Sequence, residues 1–225
     1  MDRPHAVVTG ATSGIGAAIA ARLLHAGWHV TGLARGAAAL DDRHYTHRPA
    51  DLSDPAALDA ALDGLAPNAV VHAAGLLRTN PVGALDAADG ATMWRLHVAA
   101  AEQLANRLLP RMPDGGRFVL IGSRTASGAA GRSQYAATKA AMLALARSWA
   151  AEVAPRGITV NVVAPAATDT PMLRDPARAG TPPRVPPIGR FIRPEEVAAL
   201  VAFLLSEDGG AITGQQITVC GGSSL

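Results

Sequence analysis

The amino-acid sequence predicts an α/β protein built as a doubly wound parallel sheet with helices on both faces, and three observations carry that prediction. Short apolar runs of strand length alternate with Ala/Leu-rich stretches of helical spacing. A glycine-rich turn, TGATSGIG, joins the first run to the first helix. No repeat and no linker interrupts the 225 residues, so a single domain over 1–225 is expected.

Taken in order, the strand candidates are residues 6–10 (AVVTG), 29–34 (HVTGLA), 69–75 (AVVHAAG), 117–123 (RFVLIGS), 158–165 (ITVNVVAP) and 216–222 (QITVCGG). Their near-continuous apolar character is that of strands covered on both faces. The helix candidates between them are residues 16–27, 54–65, 91–109, 133–153 and 193–207. Gly27 reads as the stop of the first. Ser53 or Asp54 caps the second, with Pro55 in its first turn. One stretch breaks the composition: RDPARAGTPPRVPPIGRF, residues 174–191, whose length inside a compact domain is that of a lid or binding loop. A substrate-binding lid over 172–191 is therefore expected.

Composition limits the function. Hydrophobic residues make up 49% and charged residues 17%, the balance of a soluble globular chain. Aromatics are only 4%, so the core must be aliphatic. The net charge is +2 and no Lys/Arg cluster appears, so neither nucleic acid nor a membrane surface is an expected partner. The single Cys220 excludes an internal disulfide and a cysteine-built metal site, and no metal is expected. MDRPHAVVTG runs straight into a strand without an apolar signal region, and no apolar stretch reaches the roughly 18 residues of a membrane span. A cytoplasmic location is the expectation.

In TGATSGIG, Gly10, Gly14 and Gly16 allow a tight turn and let a pyrophosphate approach a helix N-terminus. The spacing alone is weak; its place between the first strand and the first helix makes it a dinucleotide turn. An acid about 20 residues on would hold the ribose 2′-hydroxyl of NAD. Here the second strand ends in Ala34 and Arg35 instead. A guanidinium pairs with a 2′-phosphate that an acid would repel, so NADP(H) is the favoured cofactor, with NAD(H) left open.

Tyr135 and Lys139 stand four apart on one helix face, and Lys139 is the one lysine among 20 Lys and Arg residues. A cation beside a phenol stabilises phenolate and lowers its pKa into a useful range. Lysine offers besides this a compact three-donor head that can reach a ribose hydroxyl, which arginine does not. Ser123 ends a strand candidate twelve residues earlier and can donate to a carbonyl that Tyr135 also reaches.

With these residues in view, the chain resembles the short-chain dehydrogenase/reductase family over nearly its whole length, and its 3-oxoacyl-ACP reductase-like members in particular. TGATSGIG matches the family's TGxxxGxG, YAATK its YxxxK, and Ser123 in IGS its serine. NVVAPAATDTPM and PIGRFIRPEEVAALVAFLLSEDGGAITGQQITVCGG resemble its later segments. The resemblance implies a single-domain Rossmann fold and hydride transfer between a nicotinamide and a ketone or secondary alcohol. In it Tyr135 is the general acid and base, Lys139 its partner and a ribose ligand, and Ser123 the group that positions the substrate oxygen. It further implies cofactor contacts by Gly10, Ser13, Gly14, Ile15 and Gly16 at the pyrophosphate. Asp51 and Leu52 would lie at the adenine, Ala74 and Gly75 at the adenosine side, and Pro165, Thr168 and Thr170 near the carboxamide. A homotetramer or dimer through the Tyr135 helix is implied too.

The sequence departs from that family at three points. HAAG (72–75) stands in place of NNAG, Pro165–Ala166 in place of PG, and His97 in place of a relay asparagine. His97 is the fourth catalytic candidate, either as a water-holding relay or as a packed helix histidine. Substrate contacts are expected from loops that carry Arg78, Arg124, Arg174 and Arg178; of these Arg78 and Arg124 could suit an anionic or polar substrate, or they are simply surface arginines. The competing function is a non-catalytic dinucleotide sensor or interaction protein with the same fold.

Overall fold

In the computed structural model, which describes residues 3–38, 40–175 and 181–225, seven parallel strands lie in the order β3-β2-β1-β4-β5-β6-β7. They are β1 His5–Thr9, β2 His29–Ala34, β3 Tyr45–Pro49, β4 Ala69–His72, β5 Arg117–Ile121, β6 Thr159–Pro165 and β7 Gln216–Val219. Six match the sequence candidates, four of them stopping short, at Thr9, His72, Ile121 and Val219. The seventh, β3, escapes the sequence pattern. YTHRP has no apolar alternation, because an edge strand pairs on one side only and is half-exposed. Its phenol lies flat on β2, where any side chain on Gly32 would collide with Tyr45 Oη.

Alternate strand residues point to opposite faces and build two cores. Val7, Val70, Leu120 and Val162 face one side. That side is covered by α2 (Pro55–Leu62), α4 (Ala100–Leu108) and α5 (Ser133–Val153). Val8, Val71, Val119 and Val163 face the other, under α1 (Gly14–His25) and α6 (Pro194–Leu205). Asp54, not Ser53, caps α2, accepting from Ala56 N at 2.9 Å. The candidate helix at 91–109 starts earlier, as α3 (Ala87–Trp94) capped by Asp86. It then runs through a π turn at Arg95–Ala99 into α4. Such widened turns recur at functional sites, and this one contains His97.

The strand order reverses between β1 and β4, so the crevice beyond their carboxyl ends is where a ligand of this architecture belongs. The glycine turn lies at that switch point.

Candidate active site

A cavity of about 810 Å³ opens at the switch point. Of the sequence candidates, Gly10, Ser13, Gly14, Ile15, Gly16, Ala74, Gly75, His97, Ser123, Tyr135, Lys139, Pro165, Thr168 and Thr170 all line it. Arg35, Asp51 and Leu52 do not. They follow the ends of β2 and β3, farther along the same edge of the sheet.

One wall is the glycine turn. Gly10 has φ +67° and Gly14 φ +53°, both left-handed. A Cβ on Gly16 would sit 2.2 Å from Gly10 O, so only glycine lets α1 begin against β1. Ser13 caps α1 by position yet makes no side-chain capping bond, leaving the first-turn N–H groups to a ligand. Thr170 closes over Gly14, 3.2 Å from where a Cβ would lie.

The turn is tied to β4 through Thr9. Its hydroxyl accepts from Ala73 N and Ala74 N, each at 3.1 Å, and so must donate to His72 Nδ1 at 2.9 Å. His72 therefore carries its hydrogen on Nε2 and donates it to Leu96 O, in the π turn, at 3.1 Å. The histidine that stands in place of asparagine thus braces sheet to helix. Burial, then Lys139, lowers its pKa to about 3.

The opposite wall is α5. Lys139 is buried, and Nζ donates to Ile121 O at 2.8 Å, its one hydrogen bond among the described residues. Two of its three donors remain for a ligand. Burial lowers its pKa to about 7. Nζ lies 5.9 Å from the centre of the Tyr135 ring. Ser123 is buried just beyond β5, its Oγ 2.8 Å from Thr125 Oγ1.

His97 meets the Tyr135 ring edge-on, with centroids 5.7 Å apart. Leu76 N donates to its Nε2 at 3.0 Å, so the hydrogen sits on Nδ1 and goes to Thr138 Oγ1 at 2.9 Å. Thr138 in turn donates to Tyr135 O at 2.8 Å. Both ring nitrogens are thus committed. Burial, then Lys139 and His72, holds the ring well below the ordinary histidine pKa, and it is neutral.

Beyond these residues the cavity takes in Arg124, Arg132, Thr181 and Arg184. Arg124 was among the sequence candidates. Arg132 and Thr181 were not, since no motif connects positions that meet only across a loop. Arg78 does not line the cavity; it pairs with Asp89 at 3.7 Å and Asp175 at 3.5 Å. Arg174 pairs with Asp169. Arg178 lies outside the described residues, as does part of the 172–191 lid.

The arrangement fits a dinucleotide. There is a glycine cradle at an uncapped helix N-terminus, a lysine with spare donors, and an exposed Arg35 with no carboxylate partner among the described residues.

Comparison with known proteins agrees. Residues 10–224 match a family model described as Enoyl-(Acyl carrier protein) reductase. The chain is 35% identical over 234 residues to the 3-oxoacyl-[acyl-carrier-protein] reductase FabG of Salmonella typhimurium, covering 96% of each chain. A blue fluorescent protein from a metagenomic library, solved with NADPH, superposes with a TM-score of 0.88. It is 32% identical, with 99% of this chain and 98% of that one covered. A short chain dehydrogenase of Burkholderia cenocepacia, solved with NADP, gives 0.85 at 32% identity, with 99% and 98% covered.

Proposed function

The chain belongs to the short-chain dehydrogenase/reductase family, and from that premise we propose that it is an NADP(H)-dependent oxidoreductase interconverting a ketone and a secondary alcohol. The observation that carries this reading is one cavity with the glycine turn on one wall and Ser123, Tyr135 and Lys139 on the other. A cofactor on the first wall would supply or accept hydride at its nicotinamide.

The protein's own residues do the rest. Tyr135 gives a proton to the substrate oxygen during reduction and takes it back during oxidation. Lys139, charged, stabilises the phenolate left behind and offers its two free donors to the nicotinamide ribose. Ser123 donates to the same substrate oxygen and fixes it in place. Thr168 and Thr170, which line the cavity with Pro165, would hold the carboxamide. Asp51 and Leu52, farther along the same sheet edge, would border the adenine. Arg35 would meet the 2′-phosphate, the basis for preferring NADP(H) over NAD(H).

His97 belongs to this machinery as a brace rather than a relay, because neither ring nitrogen is free to hold a water. The 172–191 segment, with Leu173 and Thr181 in the cavity wall, serves as the lid. Association of copies through α5 accords with its exposed Ala137, Ala140 and Ala144. A cytoplasmic location completes the reading; among the described residues no helix is long and apolar enough to cross a membrane.

The test is NADPH oxidation by purified protein across small ketones, 3-oxoacyl thioesters, diketones and quinones, with Tyr135→Phe beside every substrate. Turnover lost in that variant upholds the reading. NADPH binding without turnover in either direction would favour a cofactor sensor with the same fold.

A further inference from the structure

Several arginines outside the cavity wall are matched to carboxylates: Arg78 to Asp89 and Asp175, Arg107 to Asp59, Arg156 to Asp114, and Arg190 to Glu196 at 2.7 Å. Those lining the cavity, Arg124, Arg132 and Arg184, have no carboxylate partner, and no Asp or Glu lines the cavity among the described residues.

Arg132 is held firmly there. It precedes α5, three residues before Tyr135, and its Nη2 donates to Thr181 O at 3.1 Å. Gly131 makes the contact close, since a Cβ there would stand 3.0 Å from Thr181 Cγ2. Two polar atoms of this pair are nevertheless buried without a hydrogen-bond partner among the described residues, Arg132 Nε and Thr181 Oγ1. A buried polar atom left unmatched is costly, so two in adjoining side chains of a binding cavity point to a ligand that meets them. Burial lowers the Arg132 pKa, with Tyr135 opposing that change and Arg124 adding to it. The two guanidiniums therefore repel one another, and an anion between them would relieve both.

We propose that the substrate is a small ketone bearing its own anionic group, and that Arg132, Thr181 and Arg124 form the subsite that holds this anion beside Tyr135. The inference rests on the oxidoreductase reading and deepens it. Guanidinium N–H groups and a hydroxyl match the oxygens of a carboxylate or a phosphate, whereas a neutral ketone would leave them unpaired. The anion anchors one end of the molecule and leaves its carbonyl at Tyr135 and Ser123.

The experiment uses matched pairs that differ in charge: 3-oxobutanoate and 4-oxopentanoate against their methyl esters, and dihydroxyacetone phosphate against dihydroxyacetone. With NADPH and wild-type protein, at least one anion should exceed its neutral partner in kcat/KM by tenfold or more; which pair responds separates carboxylate from phosphate. That ratio should fall at least tenfold in Arg132→Gln and several-fold in Thr181→Val, through KM more than kcat, in variants whose melting temperatures show them folded. Neutral substrates favoured by wild type, or a ratio that neither substitution moves, would overturn the subsite while leaving the oxidoreductase reading standing. So would a tenfold loss of NADPH affinity in Arg132→Gln, which would give the guanidinium to the cofactor. If no ketone is consumed, the fault lies with the reaction assigned, and calorimetry of the same anions on NADP⁺-loaded protein decides the subsite. Binding abolished by Arg132→Gln upholds it; no binding to wild type overturns it.

Discussion

His97 Nδ1 and Thr138 Oγ1 lie 2.9 Å apart in the buried layer beneath Tyr135. Since Thr138 passes its own hydrogen to Tyr135 O, the bond links the π turn to the backbone of the tyrosine itself. The imidazole completes the link by accepting from Leu76 N in the loop after β4.

A brace of this kind makes a specific prediction. His97→Ala should destabilise the protein by about 2–4 kcal/mol, from two orphaned polar groups and a cavity. Its rate will be lower, but the pH–rate profile from 5.5 to 7.5 should keep the wild-type shape. A wild-type ionisation in that window that vanishes in the variant would restore the relay.

His72 should make the fold acid-sensitive. Its folded pKa, about 3, lies below the unfolded value near 6.5, so the unfolded state gains its proton first. The stability is complete above pH 6.5 and is lost as pH falls toward 3. Between pH 6.5 and 5 this group alone should cost about 2 kcal/mol. Denaturant melts of wild type and His72→Asn would test it, with the difference between the two curves growing as pH drops. A constant difference would refute the assignment.

Lys139 exchanges stability for chemistry. Burial sets its folded pKa at about 7, below an unfolded value near 10.4. Its contribution to stability therefore rises as pH climbs from 7 toward 10, while below 7 the fold carries a buried ammonium. Lys139→Met should stabilise the cofactor-free protein at pH 6 by about 1–3 kcal/mol and abolish turnover. Calorimetric melting at pH 6 and 9 reads the first part; a less stable variant at pH 6 would contradict it.

Arg35 is exposed immediately past β2, and the loop it starts runs beside Thr12 of the glycine turn, where a Cβ on Gly36 would lie 3.5 Å from Thr12 Oγ1. Arg35→Asp should weaken NADPH at least tenfold more than NADH. Fluorescence titration with both cofactors measures this, and equal losses would remove the basis for the NADP(H) preference.

The sequence by itself determined the parts that local spacing encodes. Apolar runs and helical periodicity marked six of the seven strands and the main helices, and TGATSGIG and YAATK placed the two chemical walls. Each is a short-range pattern, in which backbone geometry dictates residue type within a few positions. The half-exposed strand Tyr45–Pro49 lacked such a pattern and emerged only from its pairing with β2. Tertiary structure alone decided what depends on distant side chains meeting. His72 finds Thr9 across 63 residues, His97 finds Thr138 across 41, and Arg132 finds Thr181 across 49. Those contacts select opposite tautomers for the two histidines, take Arg78 out of the cavity and leave Arg132 within it. Composition cannot carry this information, because a side chain's charge and hydrogen-bond state are set by whatever the fold packs against it.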